Sequence, residues 1–177
     1  MRTNWQLTAG ILSAEVCHEL VDFCKNKLTL DDASVFSGGG PEARQTKVGW
    51  TTDPKVLTLI ENYALKANRE AFNFKVDFLP PVQFAEYGTG GHYDWHHDVH
   101  WESAGRYDRK LSVVIQLSDP TQYQGGEFQF REVETPLAFK QQGSILVFPS
   151  YLLHRVTPIE NGTRHSLVGW MEGPHWA

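Results

Sequence analysis

The densest group of reactive side chains lies in His92-Tyr93-Asp94-Trp95-His96-His97-Asp98-Val99-His100, which holds four of the chain's eight histidines and two aspartates. In an extended strand alternate residues share a face, about 6.6 Å apart at Cα. His96 and Asp98 are therefore expected to project together, with His97 pointing the other way. One imidazole and one carboxylate on a face, joined by a distant histidine, make the two-His-one-carboxylate set that holds non-haem Fe(II) and leaves adjacent positions open for a bidentate cosubstrate and O2. The same spacing recurs at His92 and Asp94, so the segment alone supports two registers, and a hydrogen-bonded His-rich loop is the plain alternative. Zinc hydrolase patterns fit less well: neither His-x-His-x-Asp-His nor a His-Glu-x-x-His helix is present.

The C-terminal half supplies the missing partners. Pro149-Ser-Tyr-Leu-Leu-His154 follows a buried-looking strand, Ser144–Phe148, and sets one isolated histidine at a strand start. Ten residues on, Arg164 and Ser166 share a strand face. A guanidinium there can pair in fork geometry with the far carboxylate of a dicarboxylic acid, and the Ser166 hydroxyl can add a donor. A surface ion pair is the ordinary alternative role for such an arginine.

Two helices and a run of short strands must position these groups. Ser13 can cap a helix with Val16, Cys17, Leu20, Val21 and Cys24 at helical spacing, and Asp53-Pro54 opens another with Val56, Leu57, Ile60, Tyr63, Ala64 and Ala67 on one stripe. Asp31–Gln45, rich in Ser, Gly and Asp around Gly38-Gly39-Gly40-Pro41, reads as a long mobile loop. From Phe74 onward the expected strands are Phe74–Phe78, Val82–Tyr87, Tyr93–His100, Leu111–Leu117, Phe128–Arg131, Ser144–Phe148, His154–Pro158 and Arg164–Trp170. This pattern predicts a mainly β fold with N-terminal helices, either a double-sheet jelly roll or an eight-stranded up-and-down barrel.

At 177 residues, 41% apolar and 21% charged, the chain has the length and make-up of one globular domain. Its net charge of −5 argues against a nucleic-acid substrate, since phosphate binding needs a basic footprint. Leu7–Leu12 is too short for a secretory segment, and no stretch approaches the roughly 18 apolar residues of a membrane span. A cytoplasmic protein without membrane partners is expected. Cys17 and Cys24, about 10 Å apart on a helix, are too far apart for a disulfide and read as small core residues.

Four blocks, taken in order, resemble a known family: Gln83-Phe-Ala-Glu-Tyr87-Gly, Tyr93-Asp-Trp-His96-His-Asp98, Tyr123-Gln-Gly125-Gly126-Glu127-Phe, and His154-Arg-Val-Thr-Pro158 with Gly162-Thr-Arg164-His-Ser166-Leu. They resemble the iron(II)- and 2-oxoglutarate-dependent dioxygenases of the prolyl 4-hydroxylase-like, PKHD-type branch. The likeness runs from about residue 80 to the C-terminus. It implies a double-stranded β-helix (jelly roll) core over 74–177, with 1–73 as helical buttress and mobile loop of a single domain. It favours His96 and Asp98 as ligands, because family members place a tyrosine three residues before the liganding histidine, as Tyr93 stands here. It implies His154 as the distal iron ligand, and Arg164, with Tyr87 and Ser166, as the holders of 2-oxoglutarate. Some members carry a second cosubstrate tyrosine on the strand that here ends Ile115-Gln116-Leu117, where this chain has Gln116 or a neighbour instead. Asn161-Gly162, ordinarily a hairpin signal, is implied to be a crossover between sheets.

The implied activity is a hydroxylation that consumes 2-oxoglutarate and O2 and yields succinate and CO2, with Fe(II) as metal and ascorbate as an optional addition. The implied partner is a peptide or protein with a prolyl target. A free amino acid or other small molecule is the nearest alternative, and a non-catalytic metal-binding jelly-roll module the alternative of another class. Substrate-side candidates are Arg44 and Trp50, in a segment that also holds Phe36 and Lys47, together with Trp95 and Trp170.

Overall fold

The computed structural model describes residues 3–33, 42–101 and 104–176. Phe36 and the Gly38–Pro41 run lie outside the described residues. In chain order the elements are β1 (Gln6–Thr8), α1 (Ala14–Lys27), β2 (Asp31–Asp32), β3 (Arg44–Gln45), β4 (Lys47–Thr51), α2 (Pro54–Ala67), β5 (Val82–Tyr87), β6 (His92–His96) and β7 (Asp108–Gln116). They continue with β8 (Tyr123–Gly125), β9 (Phe128–Phe130), β10 (Ile145–Pro149), β11 (His154–Val156), β12 (Ile159–Gly162) and β13 (Arg164–Gly173).

Both helices begin where the sequence places their caps. Ser13 Oγ accepts from Val16 N at 3.3 Å, and Asp53 Oδ1 accepts from Lys55 N at 3.0 Å and Val56 N at 3.3 Å. Each cap contributes about 1 kcal/mol. α2 runs on into a π-helical turn over Asn68–Phe72, after which the Asn68 side chain brackets Phe74, donating to its carbonyl at 2.9 Å and accepting from its N–H at 2.8 Å.

Seven strands form a major sheet in the order β1-β10-β7-β13-β5-β4-β2, and four form a minor sheet in the order β3-β6-β11-β9. β12 and β8 pair separately. Strand alternation gives the major sheet two different faces. Val82, Phe84, Leu111, Val113, Ile115, Leu167 and Met171 pack with Cys17, Cys24, Val56, Ile60 and Ala64 of the helices. Gln83, Tyr87, Ser112, Gln116, Arg164 and Ser166, which intervene along these strands, lie on the other face and are buried. The result is the jelly-roll core with a helical buttress. β11 and β13 lie in different sheets, so the Asn161-Gly162 segment is a crossover. Among the described residues no helix is long and apolar enough to cross a membrane.

Three expected elements need correction. The described part of the segment read as loop carries β2 and β3, and β4, which follows it, pairs with β5 over five residues, so the first 51 residues help build both sheets. Gly49 looks like a strand breaker. It is instead a close-packing point, since a Cβ there would stand 2.8 Å from Leu30 Cδ2. Phe74–Phe78 is not a strand: its single bridge joins Phe78 to Glu172, because Phe74 and Val76 pack into the helix-side core. Finally, β6 ends at His96 rather than His100, because Asp98 N and Val99 N both donate to Ser150 O, at 2.9 and 3.3 Å, and turn the chain.

Candidate metal centre and cosubstrate pocket

β6 and β11 are antiparallel neighbours with His96 directly opposite His154. A bulge follows: Val156 pairs with Tyr93, so two residues of β6, Asp94 and Trp95, oppose Arg155 alone. The extra residue restores Tyr93 to the face of His96, three positions away, and their rings stack at 3.4 Å with an interplanar angle of 9°. Asp98 reaches the same place from the turn beyond the strand. The His96 and His154 rings are 4.2 Å apart, and Asp98 Oδ1 and Oδ2 stand 3.5 Å from His96 Nε2 and 3.6 Å from His154 Nε2. One ligand atom from each residue lies within 4.8 Å of the others.

Local hydrogen bonds fix how each ligand is presented. His96 Nδ1 meets Asp94 O at 2.7 Å and His154 Nδ1 meets Leu152 O at 2.8 Å. Carbonyls only accept, so both Nδ1 atoms carry hydrogen and both Nε2 lone pairs face Asp98. Burial lowers the His96 pKa, and His154 adds to the effect, so the imidazole stays neutral. Burial opposes ionisation of Asp98, and the nearby Arg109 guanidinium and the Ser112 hydroxyl favour its carboxylate form. Ser112 Oγ donates to Asp98 Oδ2 at 2.6 Å and shares a 2.9 Å hydrogen bond with Ser150 Oγ. Two neutral imidazole nitrogens, one carboxylate and no thiolate fit Fe(II), and this donor set leaves half of an octahedral sphere for cosubstrate and O2.

The second pole is Arg164. It is 2% exposed, and among the described residues it pairs with no carboxylate. Its Nε donates to Gln116 Oε1 at 3.0 Å, and its Cζ lies 5.6 Å from the Tyr87 ring centre, Tyr87 being its cross-strand partner. Ser166 is buried two residues on, on the same strand face. A guanidinium buried without an ion partner is costly, and an incoming anion relieves that cost.

Of the substrate-side candidates, Arg44, Trp50 and Trp170 line one cavity of about 220 Å³ together with Tyr93, Asp98 and Arg109. Trp95 does not. It lies against Arg155, 4.6 Å away, in a cavity that includes none of the three ligand residues, because as the immediate strand neighbour of His96 it points to the opposite face. Several site residues escaped the sequence reading. Ser112 and Ser150 carry no motif. Arg109, stacked 3.9 Å over Trp170, sits just before the expected start of its strand. Burial pushes the Tyr93 hydroxyl up to about 12, so it remains a proton carrier beside the metal position.

Residues 82–172 match the 2OG-Fe(II) oxygenase superfamily. A PKHD-type hydroxylase of Synechococcus sp. (strain CC9311) is 41% identical over 178 residues, covering 94% of this chain and 77% of the relative. The viral collagen prolyl hydroxylase of Paramecium Bursaria Chlorella virus-1, solved with 2OG, superposes with a TM-score of 0.74 at 19% identity over 97% of both chains. A Trichoplax adhaerens prolyl hydroxylase, solved with a hypoxia inducible factor oxygen degradation domain peptide fragment, superposes with a TM-score of 0.72 at 15% identity, covering 95% of this chain and 83% of that one. The chain belongs to the 2OG-Fe(II) oxygenase superfamily. It is a PKHD-type, prolyl 4-hydroxylase-like dioxygenase, and this membership together with the His-Asp-His group implies Fe(II) and 2-oxoglutarate.

Proposed function

We propose that the chain hydroxylates a prolyl residue of a peptide or protein, with His96, Asp98 and His154 as Fe(II) ligands and Arg164 as partner of the distal carboxylate of 2-oxoglutarate. The observation that carries this reading is the pairing of a buried two-His-one-carboxylate group with a guanidinium that no protein anion neutralises among the described residues. Bound Fe(II) would couple loss of CO2 from 2-oxoglutarate to insertion of one oxygen atom of O2 into a C–H bond, the other oxygen entering succinate. The chain's own residues do the rest. His96 and His154 present nitrogens whose tautomer is already set, Ser112 holds the carboxylate ligand, and Tyr87 and Ser166 flank Arg164. Trp50 and Trp170, with ring centres 6.1 Å apart, offer flat surfaces suited to a pyrrolidine ring in an extended peptide. Strands from the first 51 residues complete both sheets, and on that ground residues 1–177 act as one catalytic unit.

The peptide bound to the Trichoplax neighbour supports a peptide substrate. A second reading, a free amino acid, draws on Arg44 and Arg109, two guanidinium groups in one cavity, which would receive its carboxylate. Titration of proline-containing peptides against free amino acids, with succinate as readout and ascorbate as optional reductant, separates the two. In the same preparation Arg164→Ala weakens 2-oxoglutarate binding roughly ten- to a hundred-fold or more, by loss of charge-assisted hydrogen bonds. His154→Ala abolishes turnover. Unchanged 2-oxoglutarate affinity in Arg164→Ala, or near-normal turnover in His154→Ala, overturns the assignment.

A further inference from the structure

Gln116 lies on β7 opposite Ser166 of β13, and its hydrogen bonds fix its orientation without ambiguity. Arg164 Nε can only donate, so the Gln116 atom 3.0 Å from it is the amide oxygen. The Ser118 carbonyl can only accept, so the atom 3.1 Å from it is the amide nitrogen. That nitrogen also lies 2.7 Å from Tyr123 Oη. Both amide hydrogens are then assigned, and Tyr123 Oη is an acceptor toward Gln116. Its own hydrogen must go elsewhere, and among the described residues no acceptor takes it.

The backbone brings this phenol to Arg164 by a specific route. Tyr123 opens β8, which pairs with β12, and the chain then passes through Gly126 at φ +60°. A Cβ on Gly126 would stand 2.2 Å from Ile159 Cδ1 and 3.4 Å from both Tyr123 Cε2 and Arg164 Cδ. The bare glycine thus lets the tyrosine ring and the arginine stem converge on one spot. Tyr123, Tyr87, Tyr93 and Ile159 belong to one apolar cluster, so the phenol reaches Gln116 from within the space between the sheets.

We propose that Tyr123 is a second donor to the distal carboxylate of 2-oxoglutarate, set beside Arg164 by the Gln116 amide. This rests on the reading of Arg164 as that carboxylate's partner. A carboxylate offers about four lone-pair sites. The two Arg164 Nη groups take two of them in fork geometry, and the Tyr123 hydroxyl takes a third. Gln116 is a positioning residue: one side chain aligns the guanidinium through its oxygen and directs the phenol hydrogen into the pocket through its nitrogen. The arrangement also makes the site selective for dicarboxylic over monocarboxylic 2-oxoacids, since a ligand lacking the distal group leaves both donors unpaired.

The test is calorimetric titration of the Mn(II)-loaded chain, which keeps the measurement clear of turnover, with 2-oxoglutarate and with 2-oxobutyrate, which has the same head and no distal carboxylate. Tyr123→Phe is isosteric and keeps the ring packing. It weakens 2-oxoglutarate binding about ten- to a hundred-fold and leaves 2-oxobutyrate binding within twofold. Gln116→Leu weakens 2-oxoglutarate in the same direction, through loss of alignment. Loss of affinity in Tyr123→Phe that is equal for both ligands means the ring acts by packing, and the proposal falls. If Arg164→Met weakens 2-oxoglutarate while Tyr123→Phe does not, Tyr123 is no ligand but the Arg164 reading stands. If neither variant weakens it, the reading of Arg164 falls as well.

Discussion

Replacing Ser112 by alanine tests whether the metal site depends on a residue that carries no motif of its own. The Ser112 hydroxyl donates to Asp98 Oδ2 at 2.6 Å, with Ser112 fully buried and Asp98 5% exposed, so water cannot take over the bond without rearrangement. A hydrogen bond to a charged group of this kind contributes about 1.5–3 kcal/mol. Loss of a hydrogen-bond partner of a metal ligand typically lowers metal affinity 10–100-fold, or about 1.4–2.7 kcal/mol, and the two figures agree. Ser150 Oγ loses its 2.9 Å partner in the same variant, so stability of the metal-free chain falls as well, by about 1–3 kcal/mol. The assay is anaerobic Fe(II) titration at saturating 2-oxoglutarate, followed by the visible charge-transfer band, with thermal unfolding of the metal-free chain alongside. Ser150→Ala serves as control. It removes the partner of Ser112 but not the bond to the carboxylate, and the loss of Fe(II) affinity is smaller. Folded Ser112→Ala protein that binds Fe(II) within twofold of wild type would refute the argument.

Two further predictions concern stability. His165 Nε2 bonds Glu86 Oε2 at 3.0 Å beneath Lys25, and its ring stacks on Phe84. Burial lowers the His165 pKa below 6.5, against the pull of Glu86. Burial raises that of Glu86, but His165 and Lys25 bring it below 4.5. Both folded-state values lie under their unfolded ones, so the unfolded chain takes up protons first and stability falls with pH, beginning below about 6.5 for the histidine and below about 4.5 for the acid. Thermal midpoints measured from pH 7.5 to 5 therefore decline, and His165→Gln flattens that decline; an unchanged slope in the variant would remove His165 as its source. Gly126→Ala meets Ile159 Cδ1 and a left-handed backbone. It costs roughly 1–2 kcal/mol, or about 2–8 °C in Tm, and weakens 2-oxoglutarate binding by displacing Arg164 and Tyr123. A variant unchanged in both respects contradicts the close packing argued for this position.

What could be read from the sequence follows the range of the forces involved. Ser13 and Asp53-Pro54 act within one helical turn, and both helices begin where those residues place them. Val82–Tyr87 is a short, largely apolar run ended by Gly88, and it is a strand over those very residues. The grouping of His96, Asp98 and His154 was legible because residue type and order survive folding. The face of Tyr93 was not, because a bulge of one residue in β6 reverses the parity on which strand reasoning depends. β4 was hidden by Gly49, whose role is set by Leu28 and Leu30 some twenty residues earlier. Ser112, Ser150 and the Gln116–Tyr123 link matter through contacts spanning up to 38 residues, and no local pattern announces them.

Each liganding imidazole is steered by the carbonyl two positions before it, Asp94 for His96 and Leu152 for His154. Both struts come from the polypeptide itself, so the orientation of the imidazoles is set by the fold rather than by the cation. Chelators should then strip this protein to a native-like apo form that recharges readily, unlike domains whose architecture collapses when the cation leaves.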